Sequence, residues 1–445
     1  MERYDKYKDS GFDWIGEIPE HWKFEKLGWQ GEFSASGIDK KILKGEPLVN
    51  MINYTDVYGN EKLTLTNDKK YMVVSCPETK KQIHQVEIGD LVFTPSSETI
   101  DEIGLSALVI EELPDTVYSY HVIRLKFEKD FDIVFRKYLC NNNFVLNQFS
   151  KEAKGTTRQI IGRDVFKNIG VVIPPKTEQT AIANYLDRKT GEIDELIAQK
   201  ERLLEIYEEE KTAIINQAVT KGINPDVKLK NSGMDWLGEV PKHWEVKKLK
   251  YLAKANPSNI DKKSKDGEYE VLLCNYVDIY KNDFINSELD FMKATASESQ
   301  IEKFILEKGD VIATKDSETP DDIGNPALVV EDFENVVCGY HLTHIKPIEI
   351  NGAFLFRFIQ TQFLKSYFEV SANGVTRYGL GVDKFNSALI LCPPIEEQSS
   401  IVEYINNETE RIKTKFKNTK KLIELLKEYK TSLISEVVTG KVKVN

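Results

Sequence analysis

Two arginines carry the polar motif with the clearest chemistry. Arg158 closes Gly155-Thr156-Thr157-Arg158, and Arg377 closes Gly374-Val375-Thr376-Arg377. A glycine lets backbone approach a ligand closely, while a threonine hydroxyl and a guanidinium are ligands for phosphate and for guanine. Lys154, Arg163 and Lys167 gather around the first arginine, and Tyr378 and Lys384 around the second. The candidate phosphate- and base-contacting residues are therefore Lys154, Thr157, Arg158, Thr376, Arg377 and Tyr378. The alternative is a surface loop with a solvated arginine.

Other clusters point away from catalysis. The acidic stretch S-E-T-x-[DE]-[DE]-I-G (Ser97–Gly104 and Ser317–Gly324) offers Glu98, Asp101 and Glu102 as oxygen ligands for Mg²⁺ or Ca²⁺. A polar turn between two strand-like runs, its carboxylates bonding loop N–H groups, explains the stretch better. His21 and His243 have no recurring nucleophile or acid beside them. There is no P-loop, G-x-S-x-G or H-E-x-x-H. The nuclease-like set Pro225-Asp226 with Glu245-Val246-Lys247 is disordered in the first copy, where Lys23 and Glu25 replace Glu245 and Lys247, and it reads as chance. No catalytic, cofactor-binding or metal-binding residue is assigned.

Composition sets wide bounds. Hydrophobic residues at 41% and charged residues at 29% suit a soluble globular protein, and the 445 residues have room for several domains. No apolar run is long enough to span a membrane, and the N-terminal stretch has no signal-peptide character. Cys76, Cys140, Cys274, Cys338 and Cys392 form no C-x-x-C pair, which disfavours a disulfide framework or zinc site and fits a reducing cytoplasm. The net charge of −11 counts weakly against nucleic acid, since an acidic scaffold can carry a basic cleft.

The elements that position the arginines occur twice. Ser10–Leu27 and Ser232–Leu249 share 11 of 18 residues at an offset of 222, including D-W-[IL]-G-E-[IV]-P-x-H-W with Trp14, Trp22, Trp236 and Trp244. This strap reads as structural, with its indole N–H groups finding partners. Gly89–Glu112 and Gly309–Asp332 match at 220, and Pro174–Gln179 and Pro393–Gln398 at 219. A period so long means a duplicated domain rather than a solenoid. Residues 1–175 and 223–392 read as mixed α and β: Leu91–Thr94, Ala107–Ile110 and His121–Phe127 are strand-like, and Phe131–Ser150 and Ala353–Ser371 have helical spacing.

Residues 176–222 and 393–445 read as long helices of about 40 residues, on the order of 60 Å. Ile182, Leu186, Ile193, Leu196, Leu203, Tyr207 and Ile214 make a seven-residue seam on the first. Ile401, Ile405, Ile412, Leu422, Leu426, Tyr429 and Leu433 do so on the second. Glu178–Lys221 has 10 acidic and 6 basic residues, whereas Glu397–Gly440 has 7 and 8. Opposite balances favour an antiparallel intramolecular coiled coil over self-pairing. The expected fold is α+β: two similar mixed α/β domains separated by two long antiparallel coiled-coil helices, with an internal pseudo-two-fold repeat.

With the straps, G-x-T-R and P-P-x-x-E-Q leading into each long helix in the same order twice, the chain resembles the specificity subunit of type I restriction–modification systems over essentially its whole length. The resemblance implies two domains that each read one half of a bipartite double-stranded DNA site, with the coiled coil fixing their separation. It also implies docking of two modification subunits, adenine-N6 methyltransferases using S-adenosylmethionine, and of translocase–nuclease subunits using ATP and Mg²⁺. Those cofactors would sit on the partners, and this chain would be non-catalytic. The domains diverge between Asp39–Lys81 and Asp261–Lys303, so the half-sites are expected to differ. The rival reading is an assembly scaffold that no longer reads DNA.

Overall fold

The computed structural model describes residues 2–12, 15–234 and 237–444. Trp14 and Trp236 of the straps lie outside the described residues. Contacts divide the chain into two compact units, residues 1–201 with 421–445, and residues 202–420.

In the first unit a five-stranded sheet runs in the order Gly31–Ser34, Ile123–Phe127, Leu91–Phe93, Ser106–Val109, Thr64–Leu65. Its pairs are antiparallel except the last. Leu91, Val92 and Phe93 are all fully buried, so the central strand is apolar on both faces rather than alternating. A three-stranded sheet of Thr116–Tyr118, Leu48–Ile52 and Met72–Ser75 completes the β layer.

The helical stretch after it is two helices, Ile133–Cys140 and Asn143–Glu152. Two asparagines make the break. Asn142 Nδ2 donates to the carbonyls of Tyr138 and Leu139 while its Oδ1 accepts from Val145 N–H. Asn141 Nδ2 donates to Lys137 and Ser106 carbonyls. One helix's last carbonyls and the next helix's first N–H are thus satisfied by side chains, which stops the helix without a proline.

The second unit repeats this plan, with a five-stranded sheet in the order Ala253–Pro257, Leu342–Pro347, Val311–Thr314, Pro326–Val329, Phe284–Ile285. Its three-stranded sheet is Met292–Ala296, Tyr269–Cys274, Val336–Cys338. The paired helices are Gly352–Ile359 and Gln362–Ser371, parted at Thr361, whose side chain caps Leu364 N–H.

The long helices span Lys176–Lys221 and Ile395–Val438. Within the first unit Lys430 pairs with Asp194 at 2.6 Å and Lys427 with Glu201 at 3.9 Å. Within the second, Arg411 pairs with Glu210 at 2.8 Å and Lys415 Nζ lies 5.7 Å from the Tyr207 ring centre. In each unit rising numbers on one helix meet falling numbers on the other, which is the expected antiparallel pairing. In all three ion pairs the acid is on the first helix and the base on the second, as the unequal charge balance predicts.

The seam itself needs correction. Leu196, Leu422 and Tyr429 are 37%, 40% and 48% exposed, whereas their neighbours Ile197 and Ile423 are 8% and 7% exposed. Ile215 is likewise buried beside the predicted Ile214. Adjacent apolar residues such as Leu196-Ile197 and Leu422-Ile423 offer two parallel stripes with the same seven-residue repeat. Periodicity cannot choose between them; the partner helix does.

Each strap forms a joint between its domain and the helices. Lys23–Lys26 pairs with Gly170–Ile173, the strand just before the first long helix, and Glu245–Lys248 pairs likewise with Leu389–Cys392. Trp22 is fully buried and its Nε1–H donates to Glu178 Oε2 at 3.0 Å. The same carboxylate accepts from Tyr4 Oη at 2.9 Å and meets His21 Nε2 at 2.6 Å. Burial alone would raise the Glu178 pKa, yet these hydrogen bonds hold it below the ordinary glutamate value. Gln179 donates to the Pro174 carbonyl and accepts from Asp132 N–H, joining helix start to domain. P-P-x-x-E-Q is therefore a structural joint. Gly440, in the left-handed region at φ +75°, ends the second helix against this strap, where a Cβ would lie 2.4 Å from Pro19 Cδ.

Candidate DNA interface

G-x-T-R is the tip of a hairpin. Gly374 pairs with Tyr378, leaving Val375, Thr376 and Arg377 at the turn, and Lys154 bridges Ile160 in the first copy. Gly155 and Gly374 adopt φ of +137° and +153°, and a Cβ on them would stand 2.1 and 2.0 Å from the carbonyl oxygens of Arg158 and Arg377. Only glycine closes this turn. Lys154, Thr157, Arg158, Thr376 and Arg377 are all exposed, and Tyr378 is half-buried.

The hairpins are stitched to the acidic motif that the sequence treated separately. Gln159–Ile160 pairs with Ser96–Ser97, and Tyr378–Gly379 with Asp316–Ser317. The Arg158 Nε–H donates to Ser96 Oγ at 3.1 Å, and its guanidinium carbon lies 5.0 Å from the ring centre of Tyr54. Tyr54 stacks on Tyr58, with centroids 5.1 Å apart and an interplanar angle of 18°. The Tyr58 hydroxyl donates to Glu102 Oε2 at 2.6 Å, and this oxygen also accepts from Thr99 Oγ1 at 2.6 Å. That bond to Glu102 pushes the Tyr58 pKa up to about 12, so it remains a donor at neutral pH. Glu102 thus serves as a hydrogen-bond acceptor for hydroxyls.

Tyr54 and Tyr58 belong to this cluster and are absent from the sequence-based site. The tyrosines come from Asn53-Tyr54-Thr55-Asp56-Val57-Tyr58, which returns as Asn275-Tyr276-Val277-Asp278-Ile279-Tyr280 at an offset of 222. This recurrence sits inside the stretch read as divergent, and it was a usable signal. Tyr120-His121 returns as Tyr340-His341 at 220, with both tyrosines 49% exposed. Burial, then the charges of Lys40 and Arg158, lower the His121 pKa. In the second unit Lys315 Nζ lies 4.5 Å from the Tyr340 ring centre. Cations interleaved with exposed aromatic rings form a surface suited to phosphates and bases.

Arg163 and Lys167 lie on the short helix Arg163–Asn168 rather than on the hairpin. A 650 Å³ cavity lined by Ile100, Asn147, Ser435 and Thr439 and a 1070 Å³ cavity lined by Lys211, Tyr280, Arg357 and Lys413 include neither hairpin arginine. The arginines stand on open surface, unlike the groups of a small-molecule site.

A hairpin repeated on each of two α/β domains, joined to paired long helices, defines a duplicated two-domain architecture. The sequence signature of the type I restriction modification DNA specificity domain matches residues 19–205 and again 241–427. The chain belongs to that family. The MjaVIII type I restriction enzyme specificity subunit of Methanocaldococcus jannaschii is 23% identical over 459 residues, covering 98% of this chain and 97% of that protein. A chain solved in work on complex assembly and conformational transition of the type I R-M system aligns at a TM-score of 0.71 and 13% identity, covering 96% and 99% of the two chains. The HsdS subunit of Thermoanaerobacter tengcongensis aligns at 0.55 and 14%, covering 96% and 98%. These structural likenesses bear on the fold.

Proposed function

We propose that this chain is the specificity subunit of a type I restriction–modification complex, reading a bipartite and asymmetric double-stranded DNA site. The observation that carries the reading is the exposed G-x-T-R hairpin in each domain, set beside exposed aromatic and basic side chains. Lys154, Thr157 and Arg158 contact one half-site; Thr376, Arg377 and Tyr378 contact the other. The chain is non-catalytic. It docks two adenine-N6 methyltransferase subunits that hold S-adenosylmethionine, and translocase–nuclease subunits that hold ATP and Mg²⁺. The duplicated architecture supports the pair of modification subunits, because two like faces on one chain suit two identical partners. Its place of action is the cytoplasm, where the DNA lies; no helix among the described residues is long and apolar enough to cross a membrane.

The test is to co-express the chain with its modification subunit and sequence host DNA for N6-methyladenine. A bipartite, asymmetric methylated motif that depends on this chain is expected. Methylation indifferent to its deletion, despite a stable complex, would replace the reading with that of an assembly scaffold.

A further inference from the structure

The first hairpin arginine stands beside an aromatic brace, and its stacked tyrosine pair recurs in both domains. In the first, Tyr54 lies beneath the Arg158 guanidinium, Tyr58 stacks on Tyr54, and Glu102 holds Tyr58. The Ser97 hydroxyl also lies against Tyr54. In the second, Tyr276 and Tyr280 stack at 5.7 Å and 16°, Asp322 sits beside Tyr280, and Ser317 pairs with Tyr378 of the hairpin. Spacing of four residues puts both rings of each pair on one helical face. The turn that presents them is fixed by a carboxylate: Asp56 accepts from Asn53 N–H at 2.7 Å and Asp278 from Asn275 N–H at 2.8 Å.

These tyrosines are not core residues. Tyr54 and Tyr58 are half-buried and Tyr280 is 51% exposed. A free arginine side chain loses rotamer entropy on immobilisation, and a stacked ring holds it in advance. We propose that Tyr54 is a positioning residue for Arg158, holding the guanidinium ready for its DNA contact through a tyrosine pair anchored on the S-E-T-x-[DE]-[DE]-I-G segment. This rests on the DNA-reading role proposed above.

The test measures equilibrium binding of the complex with its modification subunits to duplex DNA carrying its methylated motif, as a function of salt. Tyr54→Leu is expected to weaken binding about 3- to 10-fold, the scale of a cation–π contact, while Tyr54→Phe stays within about twofold. The salt slope of Tyr54→Leu stays at the wild-type value, because the Arg158 charge remains. In an Arg158→Ala background, Tyr54→Leu has no further effect. An equal loss in that background would show that Tyr54 acts independently of Arg158 and would overturn the brace. So would wild-type affinity of Tyr54→Leu when Arg158→Ala is impaired. Wild-type affinity of Arg158→Ala would instead overturn the DNA-contact reading, and the brace with it. Should Tyr54→Leu fail to assemble, Tyr54→Met, which also lacks the ring, takes its place in the same cycle.

Discussion

The two recognition domains place different side chains at matching positions. Beside the first hairpin, Ser96 accepts a hydrogen bond from Arg158; the matching residue beside the second is Asp316, engaged by His341 Nδ1 at 2.8 Å and Lys315 at 3.5 Å. In the sheet core, Arg124 donates to the carbonyls of Gln85 and Ile83 and lies 3.8 Å from Asp90, where the second domain has His344 bonded to Asp310 at 2.6 Å. At the helix joint Glu178 receives Tyr4, Trp22 and His21, but among the described residues Glu397 receives His243 alone. Trp244 Nε1, expected to find a partner as Trp22 does, has none among the described residues. The position matching Tyr4 is Asp226. Backbone turns and strand pairings repeat, while the side chains set on them differ. A subunit with two such domains can hold one geometry and read two sequences.

Substitutions can break this comparison. Arg158→Ala and Arg377→Ala should each weaken DNA binding about 10- to 100-fold and relax base discrimination only in that domain's own half-site. Each should also lower the salt slope by about 1, measured by competition binding, with partner assembly intact on size-exclusion chromatography. Loss of assembly would make the hairpins structural.

The joints should respond unequally. Glu178→Ala leaves the Trp22 indole and Tyr4 hydroxyl without their acceptor and should cost about 2–3 kcal/mol in urea unfolding. Glu397→Ala removes one half-exposed His243 contact and should cost under about 1 kcal/mol. Equal losses would erase the asymmetry.

The buried carboxylate gives a pH signature. Burial pushes the Asp90 pKa up to about 6, against the opposing pull of Glu87 N–H and Arg124. An acid whose folded pKa exceeds its unfolded value binds more protons when folded, so its contribution to stability falls as pH rises from about 4 to about 6. The stability of wild type relative to Asp90→Asn should therefore drop by roughly 2–3 kcal/mol between pH 4 and pH 7. A pH-independent difference would mean that Asp90 stays ionised throughout.

The smallest effect belongs to the Ser96 and Asp316 positions. Exchanging them, as Ser96→Asp and Asp316→Ser, should weaken and strengthen binding respectively by about 2- to 3-fold at low salt, through repulsion of phosphate by the added carboxylate. Changes of the same sign in both would show that the position does not face DNA.

The sequence by itself determined the duplication, the two long helices, their charge-matched antiparallel pairing and the exposed G-x-T-R turns. Those features follow from local rules: helical period, proline at helix starts, and a turn that only glycine can close. It did not determine which of two parallel apolar stripes forms the seam, because Leu196 and Ile197 satisfy the same repeat. It missed the Tyr54–Tyr58 brace, although N-Y-x-D-[VI]-Y recurs. Tyr54, Glu102 and Arg158 are separated by tens of residues, and the pairing of Ser96–Ser97 with Gln159–Ile160 brings Arg158 to the acidic segment. Neighbours set by long-range strand pairing leave no local periodicity, so that cluster was decided by the tertiary structure alone.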